Sequence, residues 1–172
     1  MEFGDVRAIR DELRHGESPS LRRRRGIAAL AALGAVDFAI ITLYQLGALR
    51  HLPDPPGRVF DSDKVNASRS AYALGVPDGP LGLALYALTL ILAGAGGTAK
   101  TGRPRIFSFL LGGTVTAGAL GAAHYLYDMV RHQKRACPYC LVGAAVNFAM
   151  VPLAVREIRD RDNAGKTRGV AA

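Results

Sequence analysis

The sequence predicts an all-α membrane protein, a four-transmembrane-helix bundle with a capping extracytoplasmic loop. Three observations predict it. Of the 172 residues 49% are hydrophobic, with 20 glycines and no tryptophan, unusually apolar for a soluble domain. Charged residues are confined to the ends and to short islands, and they leave four apolar runs between them. Each run approaches the roughly 20 residues needed to cross a bilayer.

The first run covers residues 26–49 and follows the basic stretch LRRRR. Its length and the lack of a small-residue cleavage pattern make it a retained anchor rather than a signal peptide. The second covers residues 79–99, the third 106–130, and the fourth 137–155, beginning CPYCLVGAAVNFAM. All four are apolar around the whole helical circumference, unlike a surface helix with one polar face. Their Gly and Ala content suits close helix packing in lipid. Ahead of them, Phe3, Val6, Ile9 and Leu13 fall at helical spacing. That pattern fits a short amphipathic helix on the inner leaflet or a solvated tail. The chain divides into a cytoplasmic N-terminal segment, residues 1–25, a four-helix membrane domain, residues 26–155, and a cytoplasmic tail, residues 156–172.

The formal charge is +8, and its placement decides what it means. With four crossings, 15 of the 22 Lys and Arg residues share one side, that of both termini and of the KTGRPR loop. The positive-inside rule makes that side cytoplasmic. A charge distributed in this way orients the chain in a membrane and speaks against nucleic acid as partner. Residues 50–78 and the start of the fourth run then face the extracytoplasmic side.

Both cysteines of the chain, Cys137 and Cys140, open the fourth run. Such a pair can be half a zinc site, a structural disulfide, a redox dithiol or part of a core. A structural zinc needs four ligands, and His15, His51, His124 and His132 offer no matching pair spacing, so no metal is expected. A disulfide closing so short a loop restrains the unfolded chain little. The redox reading has a physical basis. Pro138 suits the first turn of a helix, which puts Cys137 near the N-cap and Cys140 in the first turn. Unpaired N–H groups and the positive end of the helix dipole favour thiolate there. CPYC also occurs in glutaredoxins, but after a β-strand, and none precedes it here. A membrane dithiol needs a lipid-soluble electron partner, and a quinone, ubiquinone or menaquinone, supplies that chemistry.

The stretches HYLYDMVRHQKRACPYCLVGA and VNASRSAYALGVPDGPLGLALY resemble the vitamin K epoxide reductase (VKOR) family, the first at its third- and fourth-helix junction, the second at its loop and second helix. Ser68-Arg69, Leu74-Gly75-Val76-Pro77, Gly82 and Tyr86 stand at the family's pattern positions, and the resemblance covers residues 26–155. It implies a quinone-linked thiol-disulfide oxidoreductase that passes electrons from a thioredoxin-like extracytoplasmic partner through the CxxC to a membrane quinone. Cys137 would face the partner and Cys140 the quinone; Ser68, Asp78, Gly82 and Tyr86 would belong to the quinone site. Vertebrate members carry a hydrogen-bonding Asn where this chain has Asp78. The chain departs from the family in lacking a second cysteine pair in the loop after the first helix. Ser62 stands in the place of one of that pair and the other would fall near Pro56. Either a partner dithiol meets Cys137 directly, or another protein supplies the relay, or thiol oxidation is lost. The last case leaves the alternative of a non-enzymatic membrane module with its CxxC as redox sensor.

Other residues carry two readings each. Asp37 lies twelve residues after Arg25, about 18 Å along a helix and so near mid-membrane. A charge there is unfavourable by at least about 2.5 kcal/mol, so it is either functional, or else protonated or bonded to a small polar neighbour such as Thr114 or Thr116. His124 and Asp128, a helical turn apart, form a structural pair or relay a proton. Tyr125 and Tyr127 read as interface anchors, and Tyr44 and Tyr86 as pocket or packing residues. The loop of residues 50–78 is too long to dangle and is expected to pack as a cap, with NASRSAYAL forming a short helix over the pocket. Asn66-Ala67-Ser68 also matches a glycosylation pattern, of little weight in a bacterial chain.

Overall fold

The computed structural model describes residues 6–73, 75–95 and 104–170, with the side chains of residues 6, 8, 9 and 161–170 left aside. Phe3, Leu74, Lys100 and Arg103, and with them most of the KTGRPR loop and the last residues of the second run, lie outside the described residues.

The first long helix begins well before its apolar run. Helix α1 is Val6–His15, and α2 is Pro19–Gln45. Ser18 is the N-cap of α2, accepting from the Leu21 N–H, and Pro19 follows at a position where its missing N–H is no loss. Arginines 22–25 therefore sit on the helix itself, and the chain turns out of it through Gly47 at φ +78°. Two short pieces follow in the loop, α3 (Ser62–Asn66) and a 3₁₀ turn (Ser70–Tyr72). The apolar helices resume with α4 (Asp78–Gly94) and α5 (Arg105–Asp128), which runs into a π-helical turn, Met129–Gln133. Helix α6 is Pro138–Val170. Among the described residues the β structure is one isolated parallel bridge between Phe60 and Ala136.

Helices α2, α4, α5 and α6 close a ring: α2 packs against α4 and α6, and α5 packs against α6 and α4. Ile27, Ala31, Tyr86, Leu111, Val115 and Met150 meet at its centre. Outside the ring the apolar side chains face away from protein, with Val36 63%, Ile91 65% and Leu120 68% exposed. Such a surface is not one that water tolerates over a whole molecule; lipid is its natural solvent. Three segments, Pro19–Gln45, Arg105–Gln133 and Pro138–Asp160, are long and apolar enough to cross a membrane, and α4 is a shorter apolar helix of 17 residues.

At the end of the ring that carries the chain termini, two buried charges are satisfied by position. Arg24, 2% exposed, donates from Nε to Ala93 O at 2.8 Å and from Nη2 to Ala95 O at 3.0 Å. Those carbonyls are at the C-terminal end of α4, where they lack helical partners and a cation is favoured. Glu157, 1% exposed, accepts from Ser20 Oγ at 2.6 Å and pairs with Arg23. The basic stretch is thus part of the packing as well as a topological signal.

Candidate thiol and quinone site

At the opposite end the loop folds down as a cap. Asp54 accepts from both the Ser62 N–H (2.8 Å) and Ser62 Oγ (2.6 Å). Asp63 accepts from the Leu52 N–H at 2.9 Å and pairs with His51. Tyr139 Oη reaches Pro53 O at 3.1 Å, so α6 itself holds the cap. The Lys134 backbone, left-handed at φ 52°, turns the chain out of the π-helical segment. Ala136 can then pair with the cap, donating to Val59 O at 2.8 Å and accepting from the Asp61 N–H at 3.0 Å.

Cys137 lies beneath this cap. Helix α6 begins at Pro138, and Cys137 acts as N-cap: its Sγ accepts the Cys140 N–H at 3.2 Å, and its carbonyl accepts from Leu141 N–H at 3.0 Å. It is fully buried, 0% exposed, against Val65 and Met129. Its hydrogen bond with the Cys140 thiol, above all, brings the Cys137 thiol down from its ordinary 9.0 to about 6. Burial pushes it up, but the Cys140 backbone N–H and the Asn66 amide, both donating to the sulphur, add to the lowering. Both cysteines are free thiols in this structure.

Cys140 faces the other way. It borders a cavity of about 300 Å³ lined by the four ring helices and by Asn66 of the cap, the low end of the usual size of ligand sites. Helix α5 borders it with the small residues Gly118, Gly121 and Ala122; Gly118 receives the Asn147 side chain, while a Cβ at Gly121 would meet nothing within 4 Å. Its walls are apolar: Phe38, Ile41, Leu81, Leu85 and Leu126. Polar groups stand at two places. Beside Cys140 are Asn66, Asp78 and Tyr125; two helical turns further along α6 is Asn147. Gln45 Nε2 donates to Asp78 Oδ1 at 2.6 Å and Gln45 Oε1 accepts the Gly79 N–H at 2.9 Å, which fixes the start of α4 against α2. Asn147 Nδ2 donates to Tyr86 Oη at 2.7 Å and to Gly143 O at 2.8 Å. Gly82 allows the Phe38 ring to lie directly on α4, since a Cβ there would overlap the ring.

Of the residues named from sequence, Cys140, Asp78, Gly82 and Tyr86 border this cavity. Ser68 does not; its Oγ is 2.9 Å from Ser70 Oγ, and it borders a smaller adjoining hollow shared with Asn66, Asp78 and Cys140. Cys137 is behind Cys140, under the cap. Asp37 borders neither hollow; it is buried between α2 and α6 near Gly143, and its Oδ2 has no hydrogen-bond partner among the described residues. Thr114, one of its expected partners, instead bonds Leu111 O within its own helix. The expected His124–Asp128 pair is replaced: Asp128 accepts from Ser70 Oγ and Gln133 Nε2 and pairs with His132, while His124 packs edge-on to Tyr125. The loop folds back over α5, and that brings Asp128 better partners than its helical neighbour. Tyr125 lines the cavity, whereas Tyr127 is 58% exposed and fits an anchor.

Sequence reasoning missed Gln45, Asn66 and Asn147 as site residues. The amides of Gln45 and Asn147 carried a signal, since a polar side chain inside or at the end of an apolar run needs a buried partner. Asn66 had been noticed for glycosylation, yet its side chain is 2% exposed and fully engaged.

One thiol of the pair, Cys140, opens onto an apolar cavity within the ring, an arrangement that can bring a dithiol beside a lipid-soluble molecule. A sequence profile of the Vitamin K epoxide reductase family matches residues 26–155. The chain belongs to that family. The match spans all four ring helices, the cap and the CxxC, as the motifs at Ser68-Arg69, Gly82, Tyr86 and Cys137–Cys140 had indicated. No curated protein matches the chain. Membership in the vitamin K epoxide reductase family makes this a membrane protein of a quinone-using oxidoreductase lineage.

Proposed function

We propose that the protein is a quinone-linked thiol-disulfide oxidoreductase with α2, α4, α5 and α6 as four membrane spans. A bundle of this kind puts both termini on the cytoplasmic side of a bacterial inner membrane and the CxxC with its cap outside it. One observation carries the reading: Cys140 borders an apolar cavity while Cys137 lies behind it as a hydrogen-bonded N-cap thiol. Cys137 and Cys140 exchange their two thiols for one S–S bond and release two electrons. The acceptor is a quinone, ubiquinone or menaquinone, which takes those electrons and two protons and leaves as quinol.

The cavity suits such a substrate. A quinone ring is flat and apolar with two acceptor oxygens, and the hollow offers apolar walls with polar groups at separate places. Asp78 and Tyr125 stand beside Cys140, where an oxygen near the thiol would be held. Gln45 orients Asp78. Gly82 and Tyr86 shape the wall, and Ser68 supports the loop over the adjoining hollow. The reductant is a thioredoxin-like extracytoplasmic partner whose dithiol reaches Cys137 once the cap moves.

A second reading, a quinone- or protein-binding module whose CxxC senses redox state, is favoured by the closed cap over Cys137 and by Ser62 standing where a relay cysteine is expected. Purified protein in detergent, given a reduced thioredoxin-like protein or a free dithiol and a soluble quinone analogue, separates the two. The enzyme consumes quinone and Cys140→Ala abolishes it; no turnover with any dithiol leaves the sensor. Trapping complements it: Cys140→Ala in cells should hold a mixed disulfide through Cys137.

A further inference from the structure

Asn66 is the side chain of the cap that reaches both sulphurs. Its Nδ2 lies 3.3 Å from Cys137 Sγ, and Cys140 Sγ lies 4.0 Å from its Oδ1, within reach of a thiol hydrogen bond. The orientation of an amide is open to inversion unless its neighbours fix it. Here the neighbour is decisive: Nδ2 also donates to Ser62 O at 2.8 Å, and a carbonyl can only accept. The end of the amide facing Cys137 is therefore the N–H end, and the end facing Cys140 is the acceptor. The backbone is held as well, since Asn66 O accepts from Gln45 Nε2 at 3.1 Å.

We propose that Asn66 is a positioning residue that makes the two cysteines chemically unlike, its N–H holding Cys137 as thiolate while its carbonyl, an acceptor only, offers Cys140 no donor and so leaves the proton there. This rests on the thiol–quinone reading and deepens it by assigning direction within the pair. The titratable groups that act on the sulphurs from the packed elements are Asp37 of α2, Asp78 of α4, and Tyr125 and Tyr139 of α5 and α6. Asp54 stands one step further out, on Ser62. Carboxylates oppose a second negative charge, so the difference between the cysteines is made by neutral donors. The Cys140 thiol and N–H also serve Cys137, but Asn66 faces both sulphurs, with its N–H end on one and its acceptor end on the other.

In oxidation the Cys137 thiolate forms the S–S bond with Cys140. The Cys140 S–H breaks, two electrons pass to the quinone in the cavity, and the quinone takes the Cys140 proton and one from water to become quinol. An attacking thiolate away from the acceptor and a proton-bearing thiol beside it is the order this needs.

The experiment is a pH titration of thiolate ultraviolet absorbance in the reduced full-length protein in detergent. The wild type should show one early ionisation that survives in Cys140→Ser and vanishes in Cys137→Ser. In Asn66→Leu its midpoint should rise by about one pH unit, a tenfold loss of thiolate below the midpoint, and in the near-isosteric Asn66→Asp by more. An early ionisation that persists in Cys137→Ser overturns the proposal. So does an unmoved midpoint in Asn66→Asp with helix content and elution volume of the wild type, whatever becomes of the bulkier change. The titration uses neither quinone nor thiol partner, so a chain without turnover still answers it, and an unmoved midpoint leaves the quinone reaction standing.

Discussion

Asn147 Nδ2 donates to Tyr86 Oη at 2.7 Å, joining α6 to α4 across the wall of the cavity. Both groups have a second partner in Gly143 O, 2.8 Å from Nδ2 and 3.2 Å from Oη, so the three form a closed polar cluster in an apolar setting.

Tyr86→Phe removes the hydroxyl and leaves Asn147 its bond to Gly143, so the loss should be about 1 kcal/mol of unfolding free energy. Asn147→Leu strips the donor and should be similar or larger. The double variant should lose less than the two single losses together, because both remove one bond. Denaturant unfolding in detergent micelles measures it; strict additivity would mean that the bond contributes nothing.

How much of this was legible in the sequence depends on what carried the signal. The runs themselves announced the helices, since apolar length is a one-dimensional property, and the CxxC announced its chemistry through Pro138 and the helix start. Glycines do not say which face they open: Gly121 on α5 borders the cavity, whereas Gly82 on α4 receives the Phe38 ring. The cap was legible as packed but not in its contacts, because Asn66 meets Cys137 across 71 positions of chain. Asp128 shows the same limit, its local partner His124 losing to Ser70 and Gln133.

Gly121→Leu tests the cavity as a ligand site. Gly121 borders the cavity, and a Cβ there meets nothing within 4 Å, so the position has room for a side chain to begin. Replacing a mid-helix glycine also favours the helix by up to about 1 kcal/mol. Thermal stability should hold or rise while quinone turnover falls at least about tenfold, the value of roughly 1.4 kcal/mol of lost transition-state stabilisation. A variant that turns over quinone normally would place the reaction elsewhere.

Ser62 is fully buried with its side chain beside the Cys137 sulphur, its hydroxyl proton held by Asp54. Ser62→Cys should therefore allow a bridge to Cys137 on mild oxidation, linking cap to α6. Proteolysis between the two positions followed by a non-reducing gel reports it, and Cys137→Ser should abolish the product. Once bridged, the cap cannot lift from Cys137, and reduction of the protein by a thioredoxin-like partner would have to begin at the new bond. Failure to bridge would mean that the two side chains do not approach within bonding reach in solution.

Cys137 also makes the stability of the reduced protein depend on pH in a definite direction. Its thiol is lowered to about 6 in the folded state from 9.0, first by the Cys140 hydrogen bond and then by the Cys140 N–H and Asn66. Between those values the unfolded chain binds the proton that the folded chain has released, so stability rises with pH across the interval. The contribution is fully present above about pH 9, and it is lost as pH falls through about 6. Its slope inside the interval is on the order of 1 kcal/mol per pH unit. Cys137→Ser removes the ionisation, so the stability difference between it and the reduced wild type should widen from pH 6 toward pH 9. Oxidation removes the thiolate as well, and the disulfide form should lack the slope. A reduced wild type whose difference from Cys137→Ser is flat across that range would show that Cys137 is not held as thiolate beneath the cap.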